Sequence, residues 1–274
     1  MKILFLNDTS HVHSGCVKVV EFFMKQFEGH DVDILPRKTI IEDTSQYDLI
    51  VANGEGTMHD DAKRAYEIMN ILASAKCKTM IVNSVWQNNS PELTEMLMEV
   101  DYVAVREVLS KREILSVIDR PVDIYLDFSY FHDVPETPIE VKHGLVTGNR
   151  MGSIKDKPKV SGIGEKHTVD IFTQSWDELV QQLRQHRILV TGRHHELYAA
   201  CKAKCNFVIL EGNTHKNSGL FETAGLQIPC LHVDATIEEI QQAVDDVGMY
   251  QLYQQELLFD YMRKQKPPRL LDYA

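Results

Sequence analysis

Residues 187–226 read RILVTGRHHELYAACKAKCNFVILEGNTHKNSGLFETAGL, and they set the architecture expected for the whole chain. They predict a buried strand over 188–190, a turn at Gly192, a helix beginning within 193–196, and a second strand over 207–210. A further helix follows near Lys216. Short apolar runs that alternate with helical patterns are typical of parallel βαβ units. We therefore expect a parallel sheet covered by helices.

Cationic side chains follow both of these strands. Arg193 and His195 come after the first strand, and Thr214, His215 and Lys216 come after the second. In a parallel sheet both groups emerge at the carboxyl ends of adjacent strands, where open α/β sheets bind ligands. Helix N-termini at that edge also attract anions through their free N–H groups. The pattern favours a phosphate or carboxylate site, although each residue taken singly also fits a solvated helix start.

Four segments, taken in chain order, resemble the polysaccharide pyruvyl transferase family. One is the pattern T-x-R-x-H at 191–195, followed by a strand and by the Lys that opens the next helix. The others are YDLIVANGEGT at 47–57, VAVREVLS at 103–110 and YLDFS at 125–129. The chain departs from the family at Asn53 and Glu55, where glycines are usual, and in the last segment, which lacks a proline.

This resemblance implies a GT-B-like α/β fold, in which two Rossmann-like domains face each other across a cleft. The C-terminal domain would hold the donor and the N-terminal domain the acceptor. Arg193 and Lys216 would bind the donor's phosphate or carboxylate, and His195 would act as general acid or as a cationic stabiliser of the departing phosphate. Cations and helix ends would supply the charge, so no metal or other cofactor is expected. The predicted donor-binding residues are Arg193, Lys216, Thr214, His215, Ser218, Glu222 (on a ribose, if the donor is a nucleotide sugar) and Arg106.

The length of the chain limits the number of domains, and its net charge limits the class of partner. A chain of 274 residues suits two α/β domains. We place them at 1–135 and 136–250, with a linker over 132–142 and a C-terminal helix over 251–274 that packs back on the first domain. The formal net charge of −11 disfavours nucleic acid as a partner.

Cysteine usage and the apolar runs predict the compartment. The five cysteines are odd in number, scattered and without a Cys-x-x-Cys pair, which favours reduced thiols in a cytoplasmic protein. The first apolar run is too short for a signal peptide. No run approaches the roughly 18 apolar residues of a membrane span. We therefore expect a soluble cytoplasmic protein.

The turn after the first strand, together with one later loop, supplies the predicted acceptor residues. The resemblance places that turn at the cleft. Trp86, which is followed by the amide side chains of residues 87–89, suits either a platform on which a sugar stacks or a cap on the sheet. His11 and His13 also fit a metal-dependent hydrolase, but that chemistry needs further ligands at later strand ends. No H-E-x-x-H helix is present. The acceptor candidates are Asp8, His11, His13, Ser14, Gly15 and Trp86.

Carboxylates after the strand at 48–52 are candidate general bases. Glu55 or Asp60 would take a proton from the acceptor hydroxyl if partial burial raises its pKa. The alternative for Asp60 is a favourable position at a helix N-terminus. Arg106, which follows the strand at 102–105, would pair with an anionic donor or, alternatively, with Glu107 or a helix dipole. With His195, the predicted catalytic set is His195, Glu55 and Asp60.

Residues 151–167 lack apolar periodicity and are rich in Gly, Lys and Ser, which predicts a mobile loop or lid. Its four lysines would suit a phosphorylated donor, although a solvated loop is the alternative.

These expectations combine into one function. The chain would move a pyruvyl or glycosyl group from phosphoenolpyruvate or a nucleotide sugar to a hydroxyl of a sugar-containing acceptor. Alternatives are a bacteriophage-type glycosyltransferase of a hydroxylated DNA base, a metal-dependent hydrolase, and a carbohydrate-binding module without catalysis.

Overall fold

The computed structural model describes residues 1–36, 39, 41, 43–135, 143–148 and 167–274. The chain divides into two compact units. Unit 1 comprises Met1–His11, Val19–Phe128 and Pro267–Ala274, and unit 2 comprises Val12–Lys18 and Ser129–Lys266. The predicted basic loop, with its four lysines, lies outside the described residues. The assignment of donor and acceptor roles to the two units stays a prediction.

Unit 1 is built on a six-stranded sheet in which every neighbouring pair is parallel. The strand order is β2-β1-β3-β4-β5-β6. All seven residues of the central strand β3 are buried, as expected of a parallel sheet covered on both faces. The strands are β1 (Lys2–Asp8), β2 (Asp31–Pro36), β3 (Leu49–Glu55), β4 (Lys78–Ser84), β5 (Tyr102–Val105) and β6 (Asp123–Ile124).

The helices that follow these strands are α1 (Ser14–Gln26), α2 (Lys63–Ser74), α3 (Pro91–Glu95) and α4 (Val108–Leu115). Ser90 caps α3 by accepting from the Leu93 N–H, with Pro91 in the first turn. Helix α4 was not predicted, and its cap is Glu107, whose carboxylate accepts from the N–H groups of the first turn. The start of α1 belongs to unit 2 and its remainder to unit 1.

Unit 2 is built on a five-stranded sheet of order β11-β10-β9-β7-β8, again parallel at every pair. Thr191 pairs with Ile209, so the carboxyl ends of β9 and β10 lie side by side. The predicted parallel unit is therefore confirmed, and both groups of cationic residues follow the same edge of the sheet. The strands are β7 (His143–Gly148), β8 (Thr168–Val169), β9 (His186–Thr191), β10 (Asn206–Leu210) and β11 (Cys230–Leu231).

The described part of unit 2 contains the helices α5 (Trp176–Arg184), α6 (His194–Ala203), α7 (Lys216–Thr223), α8 (Ile237–Asp245) and α9 (Met249–Lys264). Ser175 and Thr236 each form a capping box, with Glu178 and Glu239 at the third helical position. These local signals explain why α5 and α8 begin where they do.

The last helix packs within unit 2, and the packing of segment 251–274 on the first domain stays a prediction. Helix α9 contacts α6, and its Gln255 side chain exchanges hydrogen bonds with both the N–H and the C=O of Phe207 in β10. Only the tail, Pro267–Ala274, belongs to unit 1. There the Tyr273 ring stacks on Tyr102 with centroids 3.9 Å apart.

Two parallel sheets flanked by helices confirm the predicted α/β, Rossmann-like fold class. None of the helices in the described ranges combines the length and the apolar character that a membrane crossing requires.

Candidate functional site

A buried carboxyl group lies where β9 and β7 end. Glu196, in the first turn of α6, is 1% exposed and accepts a hydrogen bond from the Thr191 hydroxyl. A Cβ at Gly148 would collide with its Oε2, so the backbone of β7 approaches this closely only because the residue is glycine. Burial raises the pKa of Glu196 to about 7, against the opposing effects of the Thr191 hydrogen bond and the Arg193 charge. Near neutral pH this carboxyl is therefore poised between its two protonation states.

The same threonine connects Glu196 to the predicted donor-binding arginine. The Arg193 N–H donates to the Thr191 oxygen at 3.0 Å, and the Thr191 hydroxyl in turn donates to Glu196. This chain of hydrogen bonds fixes the backbone from which Arg193 projects. Its guanidinium lies over the Phe172 ring, 4.7 Å from the centroid, in a cation–π contact. A half-buried cation therefore stands at this edge, as the sequence predicts.

The start of α1 packs against the predicted catalytic histidine. The rings of His13 and His195 meet edge to face, with centroids 4.9 Å apart. A Cβ at Gly15 would lie 2.6 Å from Cγ of His195, so only glycine permits this approach. The N–H and the hydroxyl of Ser14 both donate to the Ile171 carbonyl, at 3.1 Å each. Three predicted acceptor residues, His13, Ser14 and Gly15, thus lie beside His195 in unit 2.

The other two residues predicted from that turn, Asp8 and His11, belong to unit 1. The Asp8 carboxylate accepts from the Ser10 N–H at 2.8 Å and so closes the turn after β1, and His11 is exposed. The H-x-H pair of the metal-hydrolase alternative is therefore divided between the two units.

The helix start after β10 already holds a carboxylate, which the sequence did not reveal. Glu211 accepts from the backbone N–H groups of Asn217 and Ser218, at 3.3 Å each. The Lys216 ammonium donates to the Asn213 side chain at 2.9 Å. An anion bound at the N-terminus of α7 would compete with Glu211 for these N–H groups, and the donor site there stays a prediction.

Three other predicted donor residues surround the same helix. Thr214 is 2% exposed, His215 is half-buried with its carbonyl accepting from the Ser218 hydroxyl, and Glu222 is exposed. The two strand ends are tied together, because Nδ1 of His194 lies 3.2 Å from Oδ1 of Asn217. Of these three residues, Glu222 is the exposed one.

In unit 1, three buried asparagines lie near the carboxyl ends of β1, β3 and β4. The Asn7 side chain donates to the Asn53 carbonyl at 2.6 Å, and the Asn83 side chain donates to the Asn53 side chain at 3.1 Å. Asn53 donates in turn to the carboxylate of Glu55, which is 5% exposed. Asn7, Glu55 and Asn83 have φ angles of 66°, 37° and 55°, a region that side chains disfavour. Such strain often accompanies functional sites, and the predicted catalytic Glu55 lies inside this network.

Arg106 is buried and paired within unit 1, and its role in binding the donor stays a prediction. Its side chain is 2% exposed and that of Asp127 is fully buried, and the ion pair between them measures 2.6 Å. A second guanidinium nitrogen donates to the Glu55 carbonyl at 3.1 Å. Glu107, one of the partners considered from the sequence, caps α4 with its carboxylate.

Asp60 lacks the environment of a general base. Its carboxylate is 55% exposed, lies 2.7 Å from Nδ1 of His59 and accepts from the Asn88 side chain. The hydrogen bond to His59 is the main cause that lowers the pKa of Asp60, whereas a general base requires a raised value. The alternative was that Asp60 lies at a helix N-terminus. Helix α2 begins at Lys63, so Asp60 lies three residues before its first residue.

Trp86 has no exposed face on which a sugar could stack. It is 1% exposed within the core of unit 1, and its indole N–H donates to the Thr94 hydroxyl at 3.2 Å. The alternative interpretation, a residue that packs on the sheet, fits this position.

A cavity of about 560 Å³ lies beside α8, away from every predicted site residue. Its lining includes the carboxylates of Glu238, Glu239 and Asp246. Because these would repel a phosphorylated donor, the edge that carries Arg193 is the better candidate site.

The GT-B type of the fold is shared with solved structures. A UDP-GlcNAc 2-epimerase of Methanocaldococcus jannaschii, in complex with UDP-GlcNAc and UDP, matches 100% of this chain and 99% of its own, with TM-score 0.58 and 10% identity. The spinosyn rhamnosyltransferase SpnG matches 99% of both chains, with TM-score 0.52 and 9% identity. An uncharacterised protein of Klebsiella pneumoniae matches 81% of this chain and 87% of its own, with TM-score 0.58 and 14% identity. No protein-family profile and no curated protein sequence matches the chain. Identities this low establish a common fold and leave the reaction open.

Sequence reasoning missed four contributors to these edges: Glu196, Glu211, Asn7 and Cys16, which lies beside His13. Only Glu196 carried a signal, since it stands next to His195 in the RHHE cluster. The importance of the others depends on partners far away in the sequence.

Proposed function

We propose that this chain is a transferase that uses a phosphorylated donor, with a nucleotide sugar as the preferred donor and a hydroxyl of a sugar-containing molecule as the acceptor. The observation that carries the proposal is the group Arg193, His195 and Glu196 at the carboxyl edge of the unit 2 sheet. It combines a cation, an imidazole and a carboxyl whose pKa burial raises to about 7. Strongly perturbed titratable groups at such an edge favour a functional site.

Each residue has a distinct role in the proposed reaction. As the donor bond breaks, negative charge develops on the phosphate, and the Arg193 guanidinium would offset it. His195 would donate a proton to the departing oxygen or stabilise it as a cation. Glu196 is a positioning residue, because its bond from Thr191 holds the turn that presents Arg193.

The choice of a nucleotide sugar over phosphoenolpyruvate rests on the fold neighbours. Structures of the same fold include an epimerase in complex with UDP-GlcNAc and UDP, and a rhamnosyltransferase. The exposed Glu222 carboxylate on α7 is of a type that accepts hydrogen bonds from ribose hydroxyls. A pyruvyl transfer from phosphoenolpyruvate would use the same arginine without the ribose contact.

A nucleotide-sugar 2-epimerase is the second candidate. The M. jannaschii epimerase favours it, because that chain aligns with the whole length of this one at a TM-score of 0.58. An epimerase needs no acceptor, and this difference separates the two reactions experimentally.

The first test measures thermal unfolding with UDP, UDP-GlcNAc and phosphoenolpyruvate. Arg193→Ala is compared with Arg187→Ala, because Arg187 is exposed at the opposite end of β9. A ligand at a hundredfold excess over its dissociation constant adds about 2.7 kcal/mol of stability. We expect UDP and UDP-GlcNAc to stabilise the parent and Arg187→Ala but not Arg193→Ala.

Stabilisation by phosphoenolpyruvate alone would favour pyruvyl transfer, and stabilisation by none of the three would overturn the donor site. Incubation of UDP-GlcNAc without an acceptor then separates the two candidates. An epimerase changes the sugar under these conditions, whereas a transferase leaves its configuration intact.

A further inference from the structure

Three side chains that commonly bind metals converge at the start of α1. His13, Cys16 and His195 each present one ligand atom, and these atoms all lie within 4.8 Å of one another. All three residues belong to unit 2. Cys16 is 3% exposed and His195 is 7% exposed, whereas His13 is only half-buried. The cluster therefore lies just under the surface of unit 2.

The spacing of the first two residues already suits a tetrahedral ion. Nε2 of His13 lies 3.5 Å from Sγ of Cys16. Zinc binds thiolate sulfur at about 2.3 Å and imidazole nitrogen at about 2.0 Å, and a tetrahedral angle then separates the two ligand atoms by about 3.5 Å. The other pairs of ligand atoms lie within 4.8 Å of each other. To bring them to the spacing of a tetrahedral site, the side chains must shift by on the order of 1 Å.

The backbone brings the three candidate ligands together. Cys16 is the third residue of α1, so its sulfur lies in the first turn of that helix. Gly15 lets His195 approach this turn, since a Cβ there would collide with the ring. The Cys16 N–H donates to Nδ1 of His13 at 3.4 Å, so coordination of a metal through Nε2 requires this long hydrogen bond to break.

We propose that His13, Cys16 and His195 form a binding site for a thiophilic divalent cation, with zinc as the reference ion. Thiolate and imidazole ligands select zinc over magnesium or calcium. Three protein ligands leave the fourth tetrahedral position open to water or to an oxygen of a bound molecule. This site differs from the metal-hydrolase alternative, which paired His13 with His11.

Binding involves no redox change. The metal–sulfur bond replaces the S–H bond of Cys16, the proton goes to solvent, and each histidine coordinates through a neutral ring nitrogen. The occupied site also removes His195 from proton transfer. This last consequence rests on the proposed function: zinc would then inhibit transfer.

The test uses the full chain, reduced and stripped with a chelator, and titrated with Co²⁺ as a spectroscopic probe that Zn²⁺ then displaces. Neither donor nor acceptor is present, so the result is independent of the proposed function. Cys16→Ala is compared with Cys201→Ala, because Cys201 is similarly buried in unit 2 at 2% exposure. Cys16→Ser serves as a second variant that keeps the side-chain size, and circular dichroism verifies folding.

We expect one Co²⁺ per chain and a thiolate-to-cobalt absorption band that both Cys16 variants lose and Cys201→Ala retains. Replacement of either histidine by alanine should weaken binding at least tenfold, since even outer-shell changes cost about 10–100-fold in metal affinity. Absence of stoichiometric binding in the parent overturns the site. So does a band that survives in a folded Cys16 variant, and affinity unchanged in His195→Ala excludes the three-ligand centre.

Discussion

The buried pair Arg106–Asp127 gives the sharpest test of how unit 1 is held together. Replacement of Arg106 by leucine leaves the Asp127 carboxylate without its 2.6 Å partner in a fully buried position and also removes the hydrogen bond to the Glu55 carbonyl. Removing one member of a buried ion pair typically costs about 3–5 kcal/mol, because the remaining charge stays desolvated. We expect Arg106→Leu and Asp127→Asn each to destabilise unit 1 by about that amount.

The matched control is an exposed pair of similar length. Arg263 lies 2.9 Å from Asp260, with side chains 65% and 53% exposed. Such pairs contribute between about 0 and 1 kcal/mol, so Arg263→Leu should change stability little. The contrast isolates burial, since both substitutions remove the same kind of side chain from an ion pair.

Urea unfolding, followed by fluorescence and circular dichroism together, measures the free energies. The double variant Arg106→Leu/Asp127→Asn should lose less than the sum of the two single variants, because it leaves no unpaired buried charge. A loss below about 1 kcal/mol in Arg106→Leu, equal to that of Arg263→Leu, would refute the reasoning. Such a small loss would favour the original prediction that Arg106 binds an anion.

Three further predictions concern unit 2 and its edge. Burial raises the pKa of Glu196 from 4.5 to about 7, so the folded state loses stability as the pH rises through this interval. In chelator-treated protein, the unfolding free energy of Glu196→Gln should exceed that of the parent by about 3 kcal/mol at pH 8 and equal it below pH 4.5. A difference between the two proteins that is the same at both pH values in urea unfolding would contradict this. Gly15→Ala should cost about 1–3 kcal/mol by forcing a Cβ against His195, whereas Gly56→Ala, with open space around it, should cost under 1 kcal/mol in the same thermal assay. Glu211→Ala should cost about 1 kcal/mol by uncapping α7, and unchanged urea midpoints would show that its two hydrogen bonds are not formed.

Local sequence determined most of the fold. The strand expected over 102–105 is β5 with the bounds observed, and α5 begins directly after Ser175, whose capping box with Glu178 is a local signal. Both signals act over a few residues, because a strand needs only its own apolar side chains and a cap needs only the next turn. The order of the unit 2 strands then brought Arg193 to the predicted edge.

Tertiary structure decided which of the candidate residues remain available for chemistry. Arg106 and Trp86 carry side chains that suit a binding site, yet partners elsewhere in the chain bury both. The fold also brought His13 to His195 and enclosed Glu196 against β7. Sequence fixes the chemical type of each side chain and the local start of each element, but burial and pairing depend on residues distant in the chain. Those distant contacts change desolvation and charge, and they thereby decide whether a cation, a carboxyl or an aromatic ring serves the core or the site.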